Sequence, residues 1–395
     1  MTPIERRAIF SLSTLMALRM LGMFMIFPLY SLYASHLIGS TPFLVGLSVG
    51  VYGLIQALLQ IPLGALSDRI GRKKIIGAGL IVFVIGSFVS ACSTTMEGMI
   101  MGRALQGMAA VGSAITALMA DLTSLEERTK AMAISGITIG LSFSLAMLLG
   151  PVIGIWLSVA GLFGVSAIFG LIAIVLLFIW VPPTPMIQPK ARISLRTEWL
   201  SLWRNTELKR LNAGIFLLHA IFAASFIVIP ITLHERIGMH GDQQWKLYFP
   251  ALLSAFVLTI LCVMLSERKK WLKPIFLMSV GLLGITELSL WFFADNLLLS
   301  GCNLLLFFFA FSTLEAFLPS LVSKLAPPHQ RGMALGIYSC FQFLGVAAGG
   351  MMGGWLHGVF SSIEVYLFCA LLTILWLTIA FKMKNPQYLP NASIH

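Results

Sequence analysis

Residues 64–74 read Gly-Ala-Leu-Ser-Asp-Arg-Ile-Gly-Arg-Lys-Lys, and they lie between two long apolar segments. This arrangement predicts a very short loop between two membrane-spanning helices. The loop carries one acid, Asp68, among four bases, and basic residues resist translocation across a membrane. We therefore expect the loop on the cytoplasmic side. A carboxylate in such company usually has a fixed partner, either a guanidinium or the positive N-terminal end of a helix.

The composition indicates that the solvent of this chain is lipid. Of its 395 residues, 58% are hydrophobic and only 10% are charged, whereas a soluble domain carries about 25% charged residues. A membrane-spanning helix needs about 20 apolar residues. About twelve segments meet that requirement, and they are numbered here as spans 1 to 12: 10–33, 44–66, 75–93, 97–120, 131–155, 160–181, 212–233, 247–266, 274–294, 298–322, 333–357 and 363–381. Span 1 is too long for a signal peptide, so we expect it to be retained.

The net charge of +11 reflects topology and does not indicate a nucleic-acid partner. The segments predicted to be cytoplasmic hold 22 of the 26 Lys and Arg residues but only 8 of the 15 Asp and Glu residues. An excess of cations on one side is the positive-inside pattern of a multi-pass membrane protein. It places both termini in the cytoplasm.

The longest polar stretch, residues 182–211, divides the chain. Its proline cluster ends span 6, and the segment from Ser194 to Arg210 has the pattern of an amphipathic helix on the inner leaflet. We therefore predict a six-helix half at 1–181, a cytoplasmic linker at 182–211 and a second six-helix half at 212–395. The halves also echo each other, because a shift of about 203 positions brings Arg128 onto Arg331, which favours a duplicated unit.

The Asp68 loop resembles the loop between helices 2 and 3 of the major facilitator superfamily, whose pattern is Gly-x-x-x-Asp-Arg-x-Gly-Arg-Arg/Lys. Within that superfamily the chain is most similar to YajR-type bacterial transporters of the drug:proton antiporter branch. That likeness rests on Glu-Arg-Arg at 5–7, Leu-Arg-Met-Leu-Gly-Met-Phe at 18–24, Gly-Arg-Ala-Leu-Gln-Gly at 102–107 and Leu-Glu-Ala-Phe-Leu-Pro-Ser-Leu at 314–321. The chain stops soon after Lys384, so we expect the C-terminal cytosolic domain of YajR-type proteins to be absent.

The resemblance implies an all-α polytopic membrane protein, with twelve transmembrane helices in two six-helix halves. The halves of this fold are related by an axis along the membrane normal, and the substrate site lies between them near mid-membrane.

The resemblance also implies a conformational latch on the cytoplasmic side. Asp68 would face the start of span 11, near Met333 to Gly336, and Arg72 would pair with Asp121. The alternative is that these charges only set the topology, and we favour it for Arg69, Lys73 and Lys74. Arg69 and Lys73 would then meet lipid phosphates. The predicted latch residues are Gly64, Asp68, Arg69, Gly71, Arg72 and Asp121.

Four residues inside predicted spans are candidates for proton coupling. Arg103 matches the Arg-x-x-Gln-Gly motif that the family links to proton coupling, although an arginine near Glu97 could instead snorkel to the interface. Glu315 lies in a segment rich in phenylalanine, where desolvation penalises the charged form of a carboxyl group. Glu287 and His219 are further candidates, and each could equally be a buried structural group.

Aromatic and methionine side chains with few fixed charges suit apolar or amphipathic substrates. We expect the cavity to be lined by Arg19, Met23, Phe27, Tyr30, Tyr52, Gln56, Gln60, Phe222, Phe226, Tyr338, Phe341 and Gln342. For Arg19 three roles stay open: attracting an anion, pairing with an acid, or snorkelling.

In span 5, Gly150, Pro151 and Gly154 resemble the helix-kink motif that marks antiporters. The chain departs from that motif because Ile155 replaces the final glycine, so a kink without directional meaning is the alternative.

The predicted function is proton-coupled secondary transport that exports apolar or amphipathic small molecules by alternating access. No nucleotide-binding or catalytic motif is visible, so we expect no enzyme activity and no cofactor, with the proton gradient as the energy source. The five cysteines are scattered, and they predict no metal site. One alternative is proton-coupled uptake of a small anion or siderophore, drawn by Arg19 and Arg103. Another is a non-transporting membrane sensor or scaffold. We expect a monomer in the bacterial inner membrane, in contact with lipids, protons and a small-molecule substrate, and with no nucleic acid.

Overall fold

The computed structural model describes residues 1–183, 202–269, 271–327 and 330–383. The described chain is helical, and its only β-type pairing is an isolated bridge between Ile38 and Thr95. Eleven of the described helices are long and apolar enough to cross a membrane. One of them, Leu125–Ile179, has 55 residues and a non-helical residue inside it, Ser158, with φ 58° and ψ 176°. This residue separates spans 5 and 6, and the helices therefore provide the twelve crossings.

In chain order, the helices are Pro3–Phe24 and Phe27–Ala34 in span 1, Pro42–Ile70 in span 2, Arg72–Cys92 in span 3, Met96–Met108 and Gly112–Asp121 in span 4, Leu125–Ile179 in spans 5 and 6, Thr206–Glu235 in span 7, Trp245–Lys269 in span 8, Leu272–Phe293 in span 9, Leu297–Leu325 in span 10, Arg331–Val359 in span 11 and Ser362–Phe381 in span 12. The all-helical membrane fold predicted from the sequence is confirmed.

Spans 1 and 4 are each broken, although the sequence predicts them as continuous helices. Span 1 breaks at Met25 and Ile26, just before Pro28, because proline lacks an N–H and its ring clashes with the preceding turn. Span 4 breaks at residues 109–111, where the N–H of Val111 donates to the carbonyl oxygen of Ala109 at 2.8 Å. The second break leaves the first amide groups of the helix at Gly112 without partners in the preceding turn.

The boundary between the predicted linker and span 7 also differs from the prediction. The helix of span 7 begins at Thr206, because the side chain of Asn205 accepts hydrogen bonds from the N–H groups of Glu207 and Leu208, at 3.0 and 3.2 Å. The first part of the predicted amphipathic helix, at 194–201, lies outside the described residues.

Basic side chains tie backbone carbonyls together at one end of the bundle, called here the basic end. Arg7 Nε donates to the carbonyl of Trp180 at 2.8 Å, and Lys73 Nζ donates to the carbonyl of Val181 at 2.6 Å. The last carbonyls of a helix lack intrahelical partners, so Lys73 contacts the backbone at the end of span 6 rather than the lipid phosphates expected for it. In the second half, Lys273 Nζ donates to the carbonyl of Met383 at 2.5 Å.

Spans 2 and 11 pack closely at the other end of the bundle, called the opposite end. A Cβ built on Gly46 would lie 2.8 Å from Cα of Gly354, and one on Gly53 would lie 2.6 Å from the carbonyl oxygen of Phe343. Small residues allow such close approach of two helices. Near the basic end, a Cβ on Gly336 would meet no described atom within 4 Å. The glycine contacts therefore join the halves at the opposite end.

We expect Gly46→Leu to force spans 2 and 11 apart at the opposite end, because the added side chain would overlap the backbone of Gly354. Overpacking of this kind costs about 1–3 kcal/mol. Disulfide cross-linking between cysteines placed at Pro42 and Gly358 should fall in this variant. Gly281→Leu is the matched control, since a Cβ there meets nothing within 4 Å. Equal cross-linking in both variants would contradict the close packing.

Candidate functional site

Three polar side chains from three spans of the second half meet inside the bundle. Nε2 of Gln342 lies 3.2 Å from Oε1 of Glu315 and 2.9 Å from Nε2 of His219. The other ring nitrogen of His219, Nδ1, lies 3.3 Å from the carbonyl oxygen of Ile215. Because a carbonyl can only accept, Nδ1 carries the hydrogen and Nε2 accepts from Gln342. His219, Glu315 and Gln342 are called here the polar trio.

The polar trio has the geometry to hold a mobile proton. Oε2 of Glu315 has no hydrogen-bond partner in the described chain, and it lies 3.8 Å from Nε2 of His219. The hydroxyl group of Tyr338, which interacts electrostatically with Glu315, also has no partner there. A proton on Oε2 therefore faces a histidine nitrogen whose one lone pair already accepts from Gln342, so transfer of the proton requires Gln342 to move away first.

A cluster of phenylalanine rings lies beside the polar trio and joins the two halves. The ring centre of Phe222 lies 5.4 Å from that of Phe27, 5.6 Å from that of Phe143 and 4.7 Å from that of Phe311. Phe27 and Phe143 come from the first half, and the other two come from the second. The His219 ring is 5.6 Å from Phe311. The aromatic cluster, defined by these four phenylalanines, therefore connects the polar trio to the interface between the halves.

A small central cavity is shared by both halves. Its volume of about 10 Å³ is near the lower limit for one water molecule. Five of the residues singled out in the sequence lie in its wall: Met23, Phe27, Tyr30, Arg103 and Phe226. The remaining lining residues are Ile26, Val49, Ala223 and Ile227.

Other predicted cavity residues lie elsewhere. Phe222 belongs to the aromatic cluster, and Tyr338 and Gln342 lie beside Glu315. The ring of Phe341 stacks on that of Trp203, with ring centres 6.1 Å apart, and its place in a substrate cavity stays a prediction. The two rings meet because the chain just before span 7 packs against span 11. Helical periodicity in the sequence does not predict this packing.

Arg103 is buried and held by its neighbours, so it does not snorkel. Its side chain is 3% exposed, and Nη1 donates to Oε1 of Gln106 at 2.8 Å. The guanidinium lies 4.5 Å from the ring centre of Tyr52 and 5.8 Å from that of Tyr30. Aromatic faces attract cations. A positive charge is thus presented to the central cavity from the first half.

The Asp68 loop forms a compact ion-pair network at the basic end. Arg72 Nη1 lies 2.6 Å from Oδ1 of Asp68, and its Nε donates to Oδ2 of Asp121 at 2.6 Å. Gly71, between the two helices, has a φ of 113°, which side chains other than glycine rarely adopt. Spans 2, 3 and 4 are therefore tied together by one guanidinium. The contact of Asp68 with the start of span 11 stays a prediction.

Glu287 lies apart from the polar trio. It is fully buried, and its Oε1 accepts a hydrogen bond from the hydroxyl of Ser225 at 2.7 Å. Ser225 in turn lies 3.6 Å from the sulfur of Cys369. Glu287 therefore faces spans 7 and 12, whereas Glu315 and His219 are brought together.

The helix-kink motif packs against the break in span 1. A Cβ on Gly150 would lie 2.8 Å from the carbonyl carbon of Met25, and Pro151 follows within the helix. The motif therefore allows span 5 to approach the backbone of span 1 near the aromatic cluster.

Two functional neighbours were missed from the sequence. Gln106 lies within the quoted motif around Arg103 and could have been singled out as its hydrogen-bond partner, because the two are one helical turn apart. Phe143 gives no comparable signal, since it is one of many apolar residues in span 5.

Comparison with known proteins agrees with this architecture. The family model described as Major Facilitator Superfamily matches residues 12–314 and 251–393. The chain is 42% identical over 396 residues to the inner membrane transport protein YajR of Escherichia coli strain K12, covering 100% of this chain and 87% of that protein. It is 27% identical to the multidrug resistance protein MdtH of Photorhabdus laumondii, covering 87% of this chain and 85% of that one.

Solved structures show the same fold. A bacterial homologue of the human lysosomal transporter Spinster, in an inward-facing and occupied conformation, superposes with a TM-score of 0.76 at 13% identity, covering 96% of this chain and 97% of that one. The fold and these relatives define a multi-pass membrane transporter rather than an enzyme. The chain belongs to the Major Facilitator Superfamily, as the Asp68 loop predicts.

We expect Arg72→Gln to destabilise the protein, because Asp68 and Asp121 would then face each other without the cation between them. Loss of a charged hydrogen-bonded partner costs about 2 kcal/mol. The thermal unfolding midpoint of the purified protein in detergent measures the effect. Arg236→Gln is the control, since Arg236 forms an exposed pair with Asp295 and such pairs contribute little. Equal midpoints for the two variants would contradict a structural role for Arg72.

Proposed function

We propose that this transporter exports apolar or amphipathic small molecules in exchange for protons, by alternating access. The polar trio carries the proposal. It supplies a carboxyl group with an unpartnered oxygen, within 3.8 Å of a histidine nitrogen, at a place where both halves meet. Desolvation disfavours the charged form of such a carboxyl group, so a proton arriving at Glu315 removes a charge from the interface between the halves.

The proposed cycle links that proton to movement through the aromatic cluster. Phe311 is one helical turn from Glu315 on span 10, and it contacts Phe143 of the first half, with ring centres 5.1 Å apart. Movement of span 10 upon protonation therefore shifts a surface shared with the first half. In the outward-facing state the glycine contacts of spans 2 and 11 are open at the opposite end, and Asp68 meets the start of span 11. Protonation of Glu315 in that state releases the latch or the substrate, and the basic end opens again.

The proposed orientation places the basic end in the cytoplasm of a bacterium, with both termini there and the protein in the inner membrane. The positive-inside pattern of the sequence supports it, and so does the similarity to an inner membrane transport protein. The protein is proposed to act as a monomer without a cofactor, with the proton gradient as its energy source.

Proton coupling is tested by flux in inverted membrane vesicles, using a panel of neutral, cationic and anionic fluorescent amphiphiles. We expect at least one of them to accumulate only while a pH gradient is maintained. If collapse of the gradient leaves its flux unchanged, proton coupling is wrong.

We expect Glu315→Gln to abolish gradient-driven accumulation, because the amide cannot carry the proton. Exchange of substrate between equally loaded compartments should continue, since the cavity is intact. Glu287→Gln is the matched control, as it removes a buried carboxyl group that faces spans 7 and 12 instead, and accumulation should persist. If accumulation is lost in the Glu287→Gln variant but not in the Glu315→Gln variant, the proton carrier is Glu287 and the proposed role of Glu315 is wrong.

Two competing functions have distinct consequences. If the protein takes up a small anion, right-side-out cells should show counterflow of that anion into the cell. An exporter should show no such inward counterflow. A non-transporting sensor or scaffold predicts that Asp68→Asn leaves every flux unchanged, whereas a latch predicts that Asp68→Asn slows transport.

A further inference from the structure

The strongest unexplained feature of the first half is the side chain of Arg19. It is 1% exposed, and none of Nε, Nη1 and Nη2 has a hydrogen-bond partner in the described chain. A guanidinium always carries its charge and has five N–H donors. Buried charges in a membrane protein are paired or face a ligand or ion path. The described chain therefore supplies no hydrogen-bond acceptor to the guanidinium of Arg19.

Two further unpartnered polar side chains come from one face of span 2. Gln56 is fully buried, and neither its oxygen nor its nitrogen has a partner among the residues that the structure describes. Gln60 is 4% exposed, and its oxygen has no partner among those residues either. They are four residues apart, so they project from the same side of the helix. A Cβ built on Gly112 would lie 3.2 Å from Nε2 of Gln60 and 3.8 Å from Nη1 of Arg19. Arg19 and Gln60 thus converge on Gly112.

Gly112 is the first residue of the second helix of span 4, Gly112–Asp121. The first amides of a helix have no intrahelical acceptor and carry partial positive charge. The N-cap residue Val111 offers no side-chain cap. The break in span 4 therefore presents backbone N–H groups to the place on which Arg19 and Gln60 converge.

We propose that Arg19, Gln56, Gln60 and the amides that begin the helix at Gly112 bind the carboxylate of an amphipathic organic anion. A guanidinium can grip both oxygens of a carboxylate at once, and helix N-termini bind anions. Nε2 of Gln56 has no partner in the described chain and adds a donor, and Gln60 approaches Gly112 most closely through its Nε2.

The apolar part of the ligand extends toward the central cavity. Met23, which lines that cavity, is one helical turn from Arg19 on span 1. Tyr52, one turn from Gln56, donates its hydroxyl hydrogen to the sulfur of Met23 and interacts electrostatically with Arg19. The path from the anion site to the cavity is therefore short and lined by aromatic and methionine groups. The idea that the bound anion is a transported substrate rests on the proposed function. The anion site itself does not depend on that function.

The test is titration calorimetry of the full-length purified protein with octanoate, and with octylamine and octanol as probes of equal chain length. We expect saturable binding of octanoate and no comparable binding of the other two. Arg19→Gln should weaken octanoate binding at least about tenfold, as expected for loss of a charged hydrogen-bonded pair. Gly112→Ala keeps every charge but places a methyl group in the site, so it should also weaken binding. Arg236→Gln, at the exposed pair with Asp295, should bind as the wild type does.

The outcomes separate the possibilities. If Arg19→Gln does not fold, Gly112→Ala still decides, because it leaves the guanidinium in place. Equal octanoate affinity in the wild type and in the Gly112→Ala and Arg19→Gln variants overturns the proposal. Complete displacement of octanoate by equimolar sodium chloride overturns it too, since the site would then hold an inorganic anion. Octanoate binding that depends on Arg19, without octanoate flux in vesicles, supports the site and counts against its place in transport.

Discussion

The structure depends on one constraint: a charge inside the hydrocarbon layer needs a partner. The first half holds two buried cations, Arg19 and Arg103, and the second holds the buried acid Glu287 and the partly buried acid Glu315. Arg103 is held by Gln106 and two tyrosine rings, and Glu287 accepts a hydrogen bond from Ser225. Arg19, Arg103, Glu287 and Glu315 each keep at least one polar atom without a hydrogen-bond partner in the described residues. Among these four side chains, Arg19 is the one in which Nε, Nη1 and Nη2 all lack such a partner.

The same division explains how the halves can move without losing their own structure. Each half is tied within itself at the basic end, by Arg72 in the first and by Lys273 in the second. Between the halves the contacts are mainly glycine packing and phenylalanine rings. Such contacts have no fixed hydrogen-bond geometry to break, so they can slide and part at a modest cost. Rigid halves with an apolar interface suit a rocking movement.

Much of the fold could be predicted from the sequence, because lipid demands long apolar helices and cations mark their ends. The Asp68 loop indicates the family, and the pairing of Arg72 with Asp121 is what the resemblance to that family implies. The convergence of His219, Glu315 and Gln342 could not be derived, since helical periodicity does not say which faces of distant spans meet. The break in span 4 was also missed, because no proline marks it. Because the break was not predicted, nothing in the sequence indicated that Arg19 lies near the start of a helix, and Arg19 was predicted only as a cavity residue.

In the proposed cycle, closure at one end of the bundle accompanies opening at the other. Paired spin labels measure both movements, one pair at Lys74 and Lys324 at the basic end and another at Ser35 and Phe360 at the opposite end. We predict that Glu315→Gln, which mimics the protonated acid, lengthens the first distance and shortens the second together, because an exchanger carries its proton from the outward-facing to the inward-facing state. Distances that stay fixed, or that change in the same direction at both ends, would contradict the account.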